Sequence, residues 1–499
     1  MNFRLLSKIF GSLVLLLAVA MAACGGFALF EEATTGESSG ARALWLSTGM
    51  TALLGGALLA IGWKTKTDIL RKEAIVVVGL GWVISGLVGM LPYTLCEPSL
   101  NFDEALFESV SGFTTTGSTV IQDLDRMPRS ILLWRSISQW LGGAGILVLF
   151  VALLSYVGVG AKSLMRHESS LRQGEGSNTR VLQTARQLWV IYLVMTALCI
   201  LGLLALGMNL YDAVNHGMCT VATGGFSPYN ESIGYFRSTP IELFVMVMML
   251  LCGTNFLVLS ALYRRQWKRL RVEEESRLFY GMFFIAVLSI GLNLTAETGL
   301  YEDASSAFLD ASFAVASIIT SSGFTSNWRV AEVLPEGYEQ WPGFSVAMLL
   351  VLMAMGGCAG STAGGLKVSR FLLFLKMGAQ EIIGAFRPRK TVVIKMNGMP
   401  AEDSARSAAL IMGLFTVTLG IGTLVISLIE PHLDLQTCYS CAFATLFNIG
   451  PGLGEVGPTD NFAHLKAGTL LLLSLLMVLG RLELLAIFVL FVPSLWRKY

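Results

Sequence analysis

Apolar residues come along this chain in long runs separated by short polar stretches, unlike the three-to-four-residue spacing of a half-buried surface helix. A membrane-crossing helix needs about 20 apolar residues, and ten runs approach or exceed that: residues 9–30, 43–63, 74–93, 131–157, 188–208, 243–262, 278–294, 344–377, 408–429 and 467–492, with a break inside the eighth. Arg4 and Lys8 ahead of the first run, and Met21-Ala-Ala-Cys24 within it, have the look of a cleavable leader. A secretory core is about 7 to 15 residues long, whereas this one continues past Cys24, so it is read as a retained helix.

Ten crossings require Lys and Arg to gather in alternate loops. They do: 27 of the 35 fall on one side, seven on the other (Arg42, Arg126, Arg129, Arg135, Arg237, Arg329 and Lys466), and Arg481 lies inside the last run. Both termini share the basic side, which is therefore the cytoplasmic one. Composition agrees, with 54% hydrophobic and 14% charged residues against about 45 to 50% and about 25% in soluble domains, and excludes an ordinary soluble enzyme. A net charge of +1 offers no general attraction for nucleic acid. Four histidines and eight scattered cysteines are poor material for a metal site or disulfide framework. Cys438-Tyr-Ser-Cys441 has zinc-like spacing but no second ligand pair, and His216, His432 and His464 form no recognisable acid/base pair. Neither a catalytic site nor a cofactor is expected. The longest basic-side segment contains an alternating run from Lys390 that meets Asn397-Gly398, the signature of a two-residue hairpin turn.

A fourfold repeat follows the first two runs. Its centres read Ser111-Gly-Phe-Thr-Thr-Thr-Gly117, Met218-Cys-Thr-Val-Ala-Thr-Gly224, Ser317-Ile-Ile-Thr-Ser-Ser-Gly323 and Ala444-Thr-Leu-Phe-Asn-Ile-Gly450. Each is preceded by about three turns of short helix, over residues 103–112, 210–219, 308–318 and 437–446, on the non-basic side. These read as re-entrant pore loops. Irregular backbone at membrane depth survives only where protein, water or a bound ion satisfies its polar groups. Four carbonyl-rich loops around one axis meet that condition through a dehydrated cation, with glycine permitting the backbone to turn its carbonyls inward and helix C-termini adding negative partial charge.

With Thr114-Thr-Thr-Gly-Ser118, Ala222-Thr-Gly-Gly-Phe226, Ser322-Gly-Phe-Thr325, Asn448-Ile-Gly-Pro-Gly-Leu-Gly454, Trp134-Arg-Ser-Ile-Ser-Gln-Trp-Leu-Gly-Gly143 and Gly356-Gly-Cys-Ala-Gly-Ser-Thr-Ala-Gly-Gly365, the chain resembles the Trk/Ktr/HKT superfamily of cation transporters, and within it the TrkH-type potassium uptake subunits, over nearly its whole length. The resemblance implies an all-α integral membrane protein of ten transmembrane helices and four re-entrant pore loops. Two extra N-terminal helices (1–73) would precede four helix, pore loop, helix repeats in pseudo-fourfold symmetry (74–162, 163–272, 273–390 and 391–499). It implies a potassium filter made of Thr115, Thr116, Gly117; Ala222, Thr223, Gly224; Ser321, Ser322, Gly323; and Asn448, Ile449, Gly450. A serine at the first filter glycine accompanies sodium transport in plant relatives, so Gly117 favours potassium. One glycine step per loop, where the tetrameric channel sequence Thr-Val-Gly-Tyr-Gly has two, implies looser discrimination against sodium.

Five glycines among ten residues, Gly356, Gly357, Gly360, Gly364 and Gly365, oppose a continuous helix at about 1 kcal/mol each, so the eighth run is expected to unwind. The resemblance makes this stretch a movable constriction below the filter, with Arg481 beside it. A charge at mid-span costs at least about 2.5 kcal/mol and needs a wet or paired site. Glu483, two residues on, points elsewhere, so carbonyls of the glycine-rich stretch or pore water are the expected partners, with an ion pair to another helix as the alternative. The resemblance also implies a homodimer in the bacterial cytoplasmic (inner) membrane, contacting lipid and a cytoplasmic TrkA-like nucleotide-binding ring, with residues 387–395 offering a basic docking surface. A proton- or sodium-coupled potassium symporter remains open from sequence, as does, more remotely, a polytopic membrane enzyme.

Overall fold

The computed structural model describes residues 1–35, 40–65, 71–145, 178–296, 300–301, 303–330, 333–387, 393–488, 490 and 492–493. The second half of the run at 131–157, basic residues Lys162, Arg166 and Arg172, and residues 388–392 of the expected docking segment lie outside them. The described chain is helical apart from one paired strand segment. There Lys395–Met396 runs antiparallel to Met399–Pro400, turning through Asn397 and Gly398 at φ 49° and 78°, as the Asn-Gly signal predicts.

The first two helices, Phe3–Thr35 and Ala41–Gly62, lie against each other through glycine. A Cβ on Gly11 would come 2.6 Å from the Leu59 backbone nitrogen, and one on Gly62 2.4 Å from the Arg4 carbonyl oxygen. Small residues at such positions let helix backbones approach closely. Four sets follow, each a helix, a short helix, a glycine loop and a second helix. They are Arg71–Gly89, Phe102–Phe113 and Arg129–Gly143; Asn178–Ala205, Leu210–Ala222 and Thr239–Gly253; Glu275–Ala296, Ala304–Ile319 and Gly343–Met355; and Glu402–Ile429, Leu435–Leu446 and Ala467–Arg481.

Six described helices are long and apolar enough to cross a membrane. Their outer faces remain uncovered by protein: Val417, Ile421, Leu424 and Leu428 form one exposed apolar stripe on Glu402–Ile429, spaced as one face of a helix.

Two runs expected to be continuous are broken. Residues 243–262 divide into Thr239–Gly253 and Phe256–Tyr263, which meet at 102°. The Asn255 side chain caps the second piece by accepting the Leu257 N–H at 2.8 Å, and the freed Gly253 carbonyl accepts the Cys358 N–H at 2.9 Å. The run at 467–492 ends its helix at Arg481, turns through Glu483 and Leu484 (φ 57° and 63°) and resumes as Leu485–Phe488. Arg481 is thus a helix terminus and not a mid-helix charge. The turn sends the two neighbouring charges to different partners: Arg481 Nη1 to the Thr362 carbonyl and the Glu483 carboxylate to Arg370.

Candidate ion-binding site

The four short helices begin alike. Asn101 closes a capping box with Glu104, while Asn209, Asp303 and Asp434 each accept a backbone N–H from the first turn at 2.8 to 2.9 Å. Side-chain oxygens at this position satisfy donors that a helix start leaves orphaned. They end alike as well. Thr115, Thr223, Ser321 and Asn448 all take left-handed φ of 52° to 54°. Their N–H groups bond to the carbonyls of Gly112, Thr220, Ile318 and Thr445, and the next N–H in each loop, at Thr116, Gly224, Ser322 and Ile449, bonds five residues back at 2.8 to 3.0 Å. This is the closure usually made by glycine at a helix C-terminus. Here it is made by Thr, Thr, Ser and Asn, at about 1 to 3 kcal/mol of strain each.

A third residue completes each loop in the left-handed region: Gly117 (φ 88°), Gly225 (79°), Gly323 (77°) and Gly450 (100°). The equivalent triplets are therefore Thr115-Thr116-Gly117, Thr223-Gly224-Gly225, Ser321-Ser322-Gly323 and Asn448-Ile449-Gly450. In loop 2 the expected Ala222-Thr223-Gly224 is one residue out of register, because Ala222 still belongs to the short helix. The sequence signal that fixes it is Gly225-Phe226, which matches Gly323-Phe324.

In this register the loops close a ring. A Cβ on Gly117 would lie 2.3 Å from the Gly224 carbonyl oxygen, one on Gly225 2.0 Å from that of Ser322, one on Gly323 2.3 Å from that of Ile449, and one on Gly450 2.7 Å from that of Thr116. Each glycine is pressed against the middle carbonyl of the next loop, in the order 1, 2, 3, 4, 1. Side chains lock it further. Ser118 Oγ donates to the Gly450 carbonyl (2.9 Å), and Asn448 Nδ2 donates to Thr116 Oγ1 and to the Met477 carbonyl (both 2.9 Å). Thr115 Oγ1 is buried with no hydrogen-bond partner among the described residues.

One side of the ring opens into a cavity of about 290 Å³, bordered by Gly225, Gly323 and Gly450 and, further out, by Gln122, Tyr229, Asn230 and Asp460. Behind it Arg135 and Glu108, both buried, pair at 2.6 Å. Arg135 also donates to the Ser227 carbonyl (3.0 Å) and lies over the Phe226 ring, while Glu108 accepts the Val120 N–H (3.0 Å). A buried pair holds only when its remaining valences are satisfied, and here they fasten loops 1 and 2 together. On the outer surface the Glu339 carboxylate accepts the Gly454 N–H. Burial pushes its pKa up to about 7; the Gly454 N–H opposes the shift, and Asp460 and Glu336 add to it.

The opposite side of the ring is occupied by the glycine-rich segment. Gly343–Met355 stops at Gly356 and helix resumes at Val368, so the expected unwinding is present. Gly364 donates its N–H to Ser321 Oγ, and a Cβ on it would sit 2.9 Å from Asn448 Cβ. Thr362 Oγ1 donates to the Val221 carbonyl (3.0 Å). Gly356 (φ 67°), Gly360 and Gly365 (both 76°) are left-handed, and Gly357 has the Ala363 methyl 2.5 Å from where its Cβ would be. Arg481 Nη1 donates to the Thr362 carbonyl at 3.1 Å and Nη2 to the Gly142 carbonyl at 3.5 Å, matching the expectation of carbonyl partners. Glu275 has no counterpart in the sequence reading. It is a buried carboxylate that accepts the N–H groups of Ala359 (2.7 Å) and Ser369 (3.0 Å), holding both sides of the segment. A single Glu at a helix start gives no local signal for that role.

Comparison with known proteins agrees with this architecture. The family model TrkH, described as cation transport protein, matches residues 45–498. The Trk system potassium uptake protein TrkH of Escherichia coli K12 is 36% identical over the full length of both chains, and that of Vibrio parahaemolyticus 34%. TrkG of Escherichia coli K12, also a Trk system potassium uptake protein, is 30% identical over 89% of this chain and 90% of its own. The crystal structure of the potassium transporter TrkH from Vibrio parahaemolyticus superposes with a TM-score of 0.86 at 31% identity, covering all of both chains. The chain belongs to the TrkH family of cation transport proteins.

Proposed function

We propose that this protein takes up potassium across the bacterial cytoplasmic membrane through a single-chain pore, and is not an enzyme. The observation that carries the reading is the ring: four loops of one geometry, each glycine seated on the next loop's carbonyl. The carbonyls of Thr116, Gly224, Ser322 and Ile449, with those of the residues on either side, replace the hydration shell of potassium. Thr115 Oγ1 offers a further oxygen. The ring needs no charged ligand, because four short helices direct their negative ends toward it. The 290 Å³ cavity is the outer entrance. The segment containing Gly356, Gly357, Gly360, Gly364 and Gly365, with the Arg481 guanidinium on its Thr362 carbonyl, is the gate below. Named potassium uptake proteins of 34 to 36% identity over the full length support the same ion.

The remaining parts of the reading follow the charge pattern and the family. Ten spans with both termini inside place the short helices as re-entrant elements on the outer side. The repeats occupy 74–162, 163–272, 273–390 and 391–499 after an N-terminal pair in 1–73. The chain works as a homodimer on a cytoplasmic nucleotide-binding ring docked against its basic inner loops. Potassium flux into proteoliposomes, with voltage and pH gradient imposed separately, tests the function. Flux driven by a potassium gradient alone is expected. Its absence, with uptake only under an imposed proton or sodium gradient, would replace the channel by a symporter, and no potassium flux under any gradient would refute potassium transport.

A further inference from the structure

The four loops are braced from behind in different ways. In loops 1 and 3 the middle residue carries a hydroxyl that bonds to a threonine at the end of its own short helix: Thr116 to Thr114 at 2.7 Å, Ser322 to Thr320 at 2.8 Å. Loop 4 is held through the Asn448 side chain, which bonds outward to Thr116 and Met477. Loop 2 has neither device, since the residues at the two hydroxyl positions are Ala222 and Gly224. Packing explains the first of these. A Cβ on Gly143 would stand 2.7 Å from both Cα and Cβ of Ala222, so Arg129–Gly143 passes too close for a larger side chain.

The same helix supplies a replacement one turn earlier. Gln139 is fully buried. Its Nε2 donates to the Gly224 carbonyl at 2.6 Å and its Oε1 accepts the Phe226 N–H at 3.1 Å. A Cβ on Gly224 would meet Gln139 Oε1 at 2.4 Å, so the carboxamide fills the space where the other loops carry a side chain. The two bonds fix which end of the amide is which, because a carbonyl needs a donor and an N–H an acceptor. They also span Gly225, the ring glycine of loop 2. Both peptide groups flanking that flexible residue are thereby held.

We propose that Gln139 is a positioning residue for ion selectivity: by clamping the Gly224 carbonyl and the Phe226 N–H from outside the ring, it sets where loop 2 presents its carbonyl oxygens to the permeating cation. The proposal rests on the reading of the ring as the potassium filter. Losing the clamp frees a glycine pair to adjust to a smaller ion, so sodium gains relative to potassium while the fold, fixed by the rest of the helix, persists. One lost hydrogen bond corresponds to roughly a two- to tenfold change in an equilibrium.

The test measures relative potassium and sodium permeability of the full chain in proteoliposomes, on variants verified as monodisperse. Gln139→Met keeps the volume and loses both bonds; it is expected to lower the potassium preference by roughly two- to tenfold. Should it not fold, Gln139→Ala, where water can enter the vacated space, reads the same ratio. Gln139→Glu at acidic pH offers a carbonyl oxygen to Phe226 and an O–H to Gly224, and is expected to keep the wild-type ratio. A folded Met or Ala variant with unchanged preference overturns the proposal, as does a Glu variant that is as impaired at acidic pH as the Met variant. Gly117→Ser, measured alongside, separates the two readings: if it alters the ratio and Gln139→Met does not, only the role of Gln139 falls, and if neither does, the filter reading falls with it.

Discussion

Replacing Gly117 by serine perturbs the ring at one defined point. At φ 88° a residue with a Cβ costs about 1 to 3 kcal/mol, and here the new atom would also lie 2.3 Å from the Gly224 carbonyl oxygen. Ordinary contact demands a retreat of about 1 Å, since buried atoms pack at about 3.5 Å. Loop 1 or loop 2 must give way, and either movement displaces carbonyls of the proposed potassium site. If half of that strain falls on the potassium-bound state, about 0.5 to 1.5 kcal/mol, discrimination against sodium falls by roughly two- to tenfold. Bi-ionic flux in proteoliposomes reads the ratio directly. Gly420→Ser is the control: Gly420 lies within Glu402–Ile429 and has nothing within 4 Å of its would-be Cβ. An unchanged ratio in Gly117→Ser, or an equal change in Gly420→Ser, would show that Gly117 does not shape the ion site.

The register of loop 2 makes a second prediction: Gly225→Ala lowers potassium preference as Gly323→Ala does, because both glycines are left-handed and both press on the next loop's carbonyl. A silent Gly225→Ala would move the ring position back to Gly224. The gate makes a third. Arg481→Ala and a shortening of the 356–365 segment should each raise basal flux without any regulatory partner, and less than additively together, since the guanidinium rests on the Thr362 carbonyl of that segment; wild-type basal flux in both single variants would place the barrier elsewhere.

The helical runs, the four short helices and the unwound glycine segment were legible because each leaves a local trace: apolar length, a repeated glycine-ended heptapeptide after about three helical turns, a density of glycine. The hairpin at Asn397-Gly398 was legible for the same reason. What went unread had either an ambiguous local signal or partners far away in sequence. In loop 2 two adjacent glycines offer Gly224 and Gly225 as alternative ends; the match of Gly225-Phe226 to Gly323-Phe324 selects the second, and the left-handed φ of Gly225 and its contact with the Ser322 carbonyl agree. The end of the last helix at Arg481 was hidden inside an apolar run: the turn closes locally, the Glu483 and Leu484 N–H groups bonding to the Gly480 and Leu479 carbonyls, but without the glycine that usually marks such a stop. Glu275 and Gln139 carry one polar group each in otherwise ordinary helix sequence, and their roles exist only once Ala359, Ser369, Gly224 and Phe226 are brought to them.

A dehydrated potassium ion held between the four loops would be visible by anomalous scattering. Crystals of the protein grown with rubidium or thallium in place of potassium are predicted to show an anomalous peak on the axis of the ring, within coordination distance of the Thr116, Gly224, Ser322 and Ile449 carbonyl oxygens, that added potassium removes and equal sodium leaves. A ring without a peak, or a peak that sodium displaces as readily as potassium, would rule out a selective potassium site between the loops.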